Sequence, residues 1–157
     1  MIEQINNYFT VPVIYLWLNI GVLPFWSVLI FFPNSGVSKY MVRSIFPFMI
    51  FSFIYAYLLY YFFLTEFDFK NNFNLYLGLE QLSELFSETG FLIMFWCHFL
   101  AINLFCGAWI VSDSLKFSMS KFLVFFPLLI TYFIGPIGLF LYWLIRIFFA
   151  KKLSLYD

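Results

Sequence analysis

The sequence predicts an all-α membrane protein: a four-helix transmembrane bundle with an amphipathic surface helix between the second and third spans. Three observations predict it. The chain has 157 residues, is 64% hydrophobic and only 10% charged, and a soluble domain of this size needs more charge to cover its surface. The apolar residues gather in four uncharged blocks, each near the roughly 20 residues that carry a helix across a bilayer core. The blocks also lack the alternation of a barrel strand, and in hydrocarbon only helices or closed barrels satisfy the backbone. A single integral membrane domain over residues 1–157 is expected, with spans at about 11–32, 44–64, 91–111 and 122–145.

The first block, Val11 to Phe32, follows MIEQINNYF, which has no Lys or Arg. Lacking a basic region, it reads as a retained anchor and not as a signal peptide. Pro24 removes a backbone donor and is expected to bend this span near Ile20. Asn19 lies one turn earlier and could hydrogen-bond across helices or serve packing alone. The stretch PNSGVSKYMVR reads as a turn-rich loop. The second block, Ser44 to Leu64, is aromatic throughout, and its tyrosines 55, 57, 60 and 61 suit an interfacial belt.

Residues 65–89 form the longest and most acidic connection. Leu75, Leu79, Leu82, Leu85 and Phe86 repeat at helical spacing, with Glu80, Glu84 and Glu88 on a flank. An amphipathic helix over residues 75–87, lying on the membrane surface, is expected. Its carboxylates are a solvated face or, at the mouth of a bundle, general acids or bases. The third block, Phe91 to Val111, carries the chain's one histidine, His98, together with Asn103, Cys97, Cys106 and Gly107. A short polar loop, SDSLKFSMSK, leads to the fourth block, Phe122 to Ile145, which holds Pro127, Thr131, Gly135, Pro136 and Gly138. Pro136 leaves the carbonyl of Tyr132 without its helical partner. The two glycines form either a pocket or a packing notch where another helix approaches closely.

Composition excludes several functions. Net charge is zero, so there is no electrostatic footprint for nucleic acid. Basic residues do not orient the chain. With four spans, Lys70, Arg146, Lys151 and Lys152 face Lys39, Arg43, Lys116 and Lys121, and the positive-inside rule favours neither orientation. Cys97 and Cys106 lie roughly 13 Å apart along one helix, too far for a disulfide. Two cysteines and one histidine offer no metal spacing. No Lys sits inside a span for a Schiff base, and no phosphate loop or Ser-His-Asp order is visible. No cofactor is expected. The 26 phenylalanines suit a polyene or other flat ligand, or else reflect AT-rich codons.

His98 remains. It lies about 10 Å into its span, where a titratable group is costly and invites a functional reading. It is expected to face the bundle interior, as a proton-transfer group or as an interhelical hydrogen bond. Asn103, about 140° further round the helix, can border the same interior.

Four motifs in order carry a family resemblance: LPFWSVLIFFP (Leu23 to Pro33), LEQLSELFS (Leu79 to Ser87), WCHFLAINLFCGAWIVSD (Trp96 to Asp113) and PLLITYFIGPIGLFLYWLIR (Pro127 to Arg146). Together they resemble the abscisic-acid-deficient-four-like, neoxanthin-synthase-like membrane family of plants, algae and bacteria. The third-span motif of that family looks like W-x-H-x-L-A-x-D-L-x-x-G. Trp96, His98, Leu100, Ala101, Leu104 and Gly107 match it, and Asn103 stands where Asp is usual. The resemblance implies a four-helix integral membrane protein, in a bacterial inner membrane or a thylakoid or plastid membrane. In plant members it implies conversion of the epoxide carotenoid violaxanthin to allenic neoxanthin.

Such a reaction is redox-neutral and needs one acid and one base. His98 is the first candidate, with Asn103, Glu80, Glu84 or Asp113 as its counterpart. Asn19, Trp26, Trp96, Trp109, Thr131, Gly135 and Pro136 are the expected ligand contacts. The expected partners are membrane lipid and a carotenoid or related isoprenoid, in a homo-oligomer or a larger membrane complex. The same features also suit a non-catalytic protein that binds pigment or lipid, or an assembly factor.

Overall fold

The computed structural model describes residues 10–65 and 76–151. Residues 1–9, the acidic stretch with Glu66 and Asp68, Lys70, Leu75 and Lys152 lie outside the described residues. Regular structure among the described residues is helical throughout. The helices are α1 (Val11–Phe31), α2 (Gly36–Arg43), α3 (Phe46–Leu59), a π-helical segment (Tyr60–Thr65), α4 (Leu79–Ser87), α5 (Thr89–Lys116), α6 (Lys121–Phe133) and α7 (Gly135–Ala150). Two of them, α1 and α5, are long and apolar enough to cross a membrane. A third crossing is counted if α2 and the helix from Phe46 to Phe62, bent by 48°, act as one span.

The first expected loop is partly helical. Its turn residues Pro33, Asn34 and Ser35 lead directly into α2, and the Ser35 hydroxyl accepts from the Ser38 N–H at 3.1 Å. That satisfies one of the orphan donors of a helix start. The expected surface helix starts at Leu79, because Gly78 has φ +157°, a conformation that ends helical continuity and suits glycine alone. In α4, Leu85 is buried and the Phe86 ring meets Phe91 and Phe95 edge-on, while Leu79, Glu80 and Glu84 are exposed.

The chain divides into two compact units. One is drawn from Met1–Gly21 and Met49–Ala101, the other from Val22–Phe48 and Ile102–Asp157. In the first unit, Leu18, Phe51, Leu58, Phe62, Ile93, Met94, Cys97 and Leu100 are buried. The Cys97 thiol lies 3.7 Å from the carbonyl oxygen of Phe51, and Phe62 fills the space a Cβ on Gly90 would take.

The second unit holds the main departure from expectation. The fourth apolar block is two helices, with the break at Ile134 (φ −140°, ψ 82°). Pro136 sits in the first turn of α7, where its missing N–H costs no helical bond. The contacts of α6 and α7 along α5 give their directions. Gly135 meets Asn103, Tyr142 meets Trp109 and Asp113, and Arg146 meets Asp113 and Phe117. So α7 runs toward the C-terminal end of α5. The chain leaves that same end through residues 117–120 and enters α6, whose Tyr132 lies at the Trp26 and Gly107 level. Gly138 packs against the backbone of Thr131 and Pro127. The pair is a helical hairpin that enters from one end of α5 and returns to it. At 1.5 Å per residue, its arms are about 20 and 24 Å long, against about 30 Å of hydrocarbon.

Candidate functional site

His98 does not face an interior. It is exposed, while its neighbours Cys97 and Leu100 are buried. The reason lies in the helix period: Ile93, Cys97, Leu100 and Leu104 are the buried stripe of α5, and position 98 falls beside it. Among the described residues the imidazole has one ring neighbour, Tyr55 of α3, at 6.2 Å between centroids and tilted by 55°. Tyr55 is half-buried. Phe53 and Phe95, in the same unit, are exposed, so the polar pair belongs to a largely apolar, aromatic surface.

Two grooves mark the first unit. One, about 520 Å³, is lined by Ile14, Trp17, Leu18, Phe53, Ile54 and Tyr57. The other, about 390 Å³, is lined by Val11, Pro12, Tyr15, Thr89, Leu92, Ile93 and Trp96. Trp96 stacks with Phe99 at 5.3 Å and tilts against Tyr15 at 5.8 Å, and its buried indole N–H has no acceptor among the described residues. Asn19 does not reach across helices. Its amide donates to the Tyr15 carbonyl of its own helix at 2.7 Å. Glu80 and Glu84 are exposed on α4.

In the second unit the polar groups are buried. Asp113 accepts from Arg146 Nε and from the Tyr142 hydroxyl, both at 2.7 Å and both on Oδ2, while Arg146 Nη2 approaches Oδ1 at 3.5 Å. The guanidinium also lies 5.1 Å over the Phe117 ring. An ionised carboxylate with two donors on one oxygen is an acceptor, not a free acid. Asp113, a candidate general acid from its place at a span end, has its carboxyl group held by two side chains of α7 and so ties α5 to that helix. Tyr142 and Arg146 were not singled out by the sequence. The visible signal is a lone Arg closing an apolar block, one charge without an evident mate.

Nearer the hairpin tip is a second cluster. The benzo edge of Trp26 covers Gly107, and the same indole meets Tyr132 edge-on at 5.5 Å. The Asn103 amide oxygen fills the notch at Gly135. Thr131 donates to the Pro127 carbonyl at 2.7 Å, and Gly138 closes over both residues. The glycines are thus packing notches: a Cβ at 107, 135 or 138 would collide with a neighbour. Trp26 Nε1 and Asn103 Nδ2 are buried donors without an acceptor among the described residues. Pro136 itself is exposed. Trp109, half-buried, lines a groove of about 170 Å³ with Phe105, Cys106, Leu139 and Trp143.

Both cysteines are free thiols. No group of three metal-ligating side chains occurs among the described residues.

Comparison with known proteins gives this geometry a context. The family profile ABA4-like (ABA DEFICIENT 4-like) matches residues 13–142. Protein ABA DEFICIENT 4, chloroplastic, of Arabidopsis thaliana is 30% identical over 116 residues, covering 68% of this chain and 52% of that protein. The chain thus spans about half the length of the curated relative it matches. No solved structure matches the chain.

Proposed function

The chain belongs to the ABA4-like family, and from that premise we propose that it is a multi-pass membrane protein acting on a carotenoid or related isoprenoid. The reaction is a redox-neutral isomerisation that opens an epoxide. The observation that carries this reading is the exposed His98 with the half-buried Tyr55 ring beside it. An imidazole and a phenol on an apolar face are costly in hydrocarbon, and a reactant dissolved in the bilayer reaches them without entering a closed pocket.

The chemistry balances within the pair. Tyr55 gives its proton to the epoxide oxygen as the C–O bond breaks. His98 takes a proton from the adjacent vinylic carbon, and the electrons of that C–H bond become the new double bond. Transfer of the proton from imidazolium to phenolate restores both groups. The sum moves one hydrogen from carbon to oxygen, with no atom or electron gained. Glu80 and Glu84, on the exposed side of α4, are the alternative proton donors. Asn103, an amide, holds the substrate or the fold and transfers no proton.

Expression of the chain in a violaxanthin-producing host, followed by pigment chromatography, tests the reading. A new allenic product that vanishes with His98→Asn and with Tyr55→Phe supports it. No such product, with the protein confirmed in the membrane, overturns it. One observation favours a second reading, passive binding of pigment or lipid: the 520 Å³ groove has no carboxylate or imidazole in its lining. In that case pigment co-purifies unchanged.

A further inference from the structure

Both ends of the α6–α7 hairpin leave the second unit through one face, and both carry an exposed lysine. Lys121 opens α6 and Lys151 follows α7. Lys116, also exposed, is the last residue of α5, just before the 117–120 turn. The guanidinium of Arg146 over Phe117 sets the end of α7 beside that turn, so the three lysines crown one end of the unit. No carboxylate answers them there. Asp113 is the only acidic side chain among the described residues of this unit, and it is buried against Arg146 and Tyr142.

The helices themselves do not account for all three charges. Lys116 and Lys151 stand at C-terminal helix ends, where a cation is favoured, but Lys121 stands at an N-terminal end, where the macrodipole opposes it. Its Nζ lies 5.4 Å from the centre of the Phe122 ring and meets no carboxylate among the described residues. Lys151 carries a cost of another kind. Its φ is +54°, the left-handed conformation that glycine usually supplies at a helix end. Positive charge is thus kept where the backbone disfavours it, and its counterion lies outside the chain. The neighbouring rings indicate where that counterion sits. Phe122, next to Lys121, is 74% exposed, and Phe148, three residues before Lys151, is 80% exposed. Water penalises such rings and hydrocarbon does not. Lysine stems lie along apolar surface with their ammonium groups in the polar layer. An anion at the border of hydrocarbon is a lipid headgroup; a soluble acidic partner would leave the rings wet.

We infer that this end of the hairpin binds anionic phospholipid, with Lys116, Lys121 and Lys151 on the headgroup phosphates and Phe122 and Phe148 among the acyl chains. A hairpin whose two arms leave by one face has no segment on the far side to fix its depth. Headgroups held at its entry and its exit fix it instead. The inference rests on the membrane setting of the chain and not on the proposed reaction.

The test reconstitutes the full chain in phosphatidylcholine bilayers that contain brominated phosphatidylglycerol or brominated phosphatidylcholine, and follows quenching of tryptophan emission. Trp143, 40% exposed, lies about 12 Å along α7 from Lys151, within reach of bromines on the acyl chains. Subtracting the Trp143→Phe signal isolates it. Phosphatidylglycerol should be favoured at least about fivefold, the worth of one lysine at an anionic surface. The preference should fall in Lys121→Gln and vanish when Lys116→Gln, Lys121→Gln and Lys151→Gln are combined. It should survive the three corresponding Lys→Arg changes, and it should survive added inorganic phosphate. In phosphatidylcholine alone, Lys121→Gln should melt no lower than the parent, because it removes a cation from an N-terminal helix end. Equal binding of the two lipids, or a preference that the triple Gln variant keeps, overturns the site. Displacement by inorganic phosphate overturns lipid as the occupant, and a lower melt of Lys121→Gln makes that lysine a partner within the fold. A chain that enters neither bilayer overturns the membrane setting, and the site with it; a chain that enters both and shows no preference overturns the site alone.

Discussion

The two units distribute polarity in opposite ways. Among the described residues of the unit of His98, the imidazole and the carboxylates Glu80 and Glu84 are exposed, and the buried residues are apolar apart from thiol and aromatic groups. In the unit of Asp113, buried positions include Ser38, Asn103, Asp113, Ser114, Thr131 and Arg146. One helix, α5, carries both patterns along its length. A polar side chain in a membrane helix therefore does not announce its task. The exposed one is free to meet something in the bilayer, and the buried one is held by its own fold.

The sharpest way to break this comparison is to remove Asp113. Asp113→Ala leaves the Arg146 guanidinium buried without its carboxylate, and a loss of about 3–5 kcal/mol is expected. Thermal melting of the purified chain in detergent should show it as a large fall in Tm. Asp113→Leu combined with Arg146→Met should recover much of that loss, since no uncompensated charge then stays buried. A near-unchanged melt for the single variant would mean that the pair contributes nothing to holding α7 on α5.

Next in size is Gly138→Ala. The added methyl meets the Thr131 nitrogen and the Pro127 oxygen, which are backbone atoms and cannot turn aside. Overpacking of this kind costs about 1–3 kcal/mol. Gly21→Ala, in the other unit, is the control. Nothing lies within 4 Å of its new Cβ, and within a helix the change should stabilise by up to about 1 kcal/mol. Opposite signs in the two melting curves are the expected result.

Tyr142→Phe removes one of the donors on Asp113 Oδ2 but leaves the ion pair. A loss of about 1.5–3 kcal/mol is the usual scale for a hydrogen bond to a charged group, toward the lower end here because Arg146 remains. The smallest effect on folding belongs to His98→Ala. Exposed and without a hydrogen bond among the described residues, it should change stability by no more than about 0.5 kcal/mol, while abolishing any turnover of an epoxy-carotenoid. A collapse of the folded protein in that variant would move His98 from chemistry to structure.

The sequence is legible where a single periodicity decides. Val11 opens α1 as expected, and the acidic connection contains a helix from Leu79 to Ser87. The fourth block is not, because hydropathy has no sense of direction. Its 24 uncharged residues score alike as one span or as two arms folded together. Gly135 and Pro136 are visible, but a kink and a reversal use the same residues. Asp113 is hard to read for a related reason. Its partners stand 29 and 33 residues further on, and only the hairpin brings them back to it. Rarity suggests an interior place for His98, whereas the apolar stripe that excludes it consists of ordinary residues.

The hairpin also bears on how the chain is threaded into its membrane. An insertion machine that weighs 24 apolar residues would release them as a crossing, yet α7 returns to the end of α5 from which α6 departed. Arg146 and Lys151 then stay on the face that holds Lys116 and Lys121. Phe31 packs on Phe125, which brings the end of α1 toward the start of α6. With the described residues Lys116, Lys121, Arg146 and Lys151 at one end of this unit, the positive-inside rule predicts that insertion begins from that face. A protease-cleavable tag after α7 should therefore be cut from the side of synthesis, as would one placed between α5 and α6.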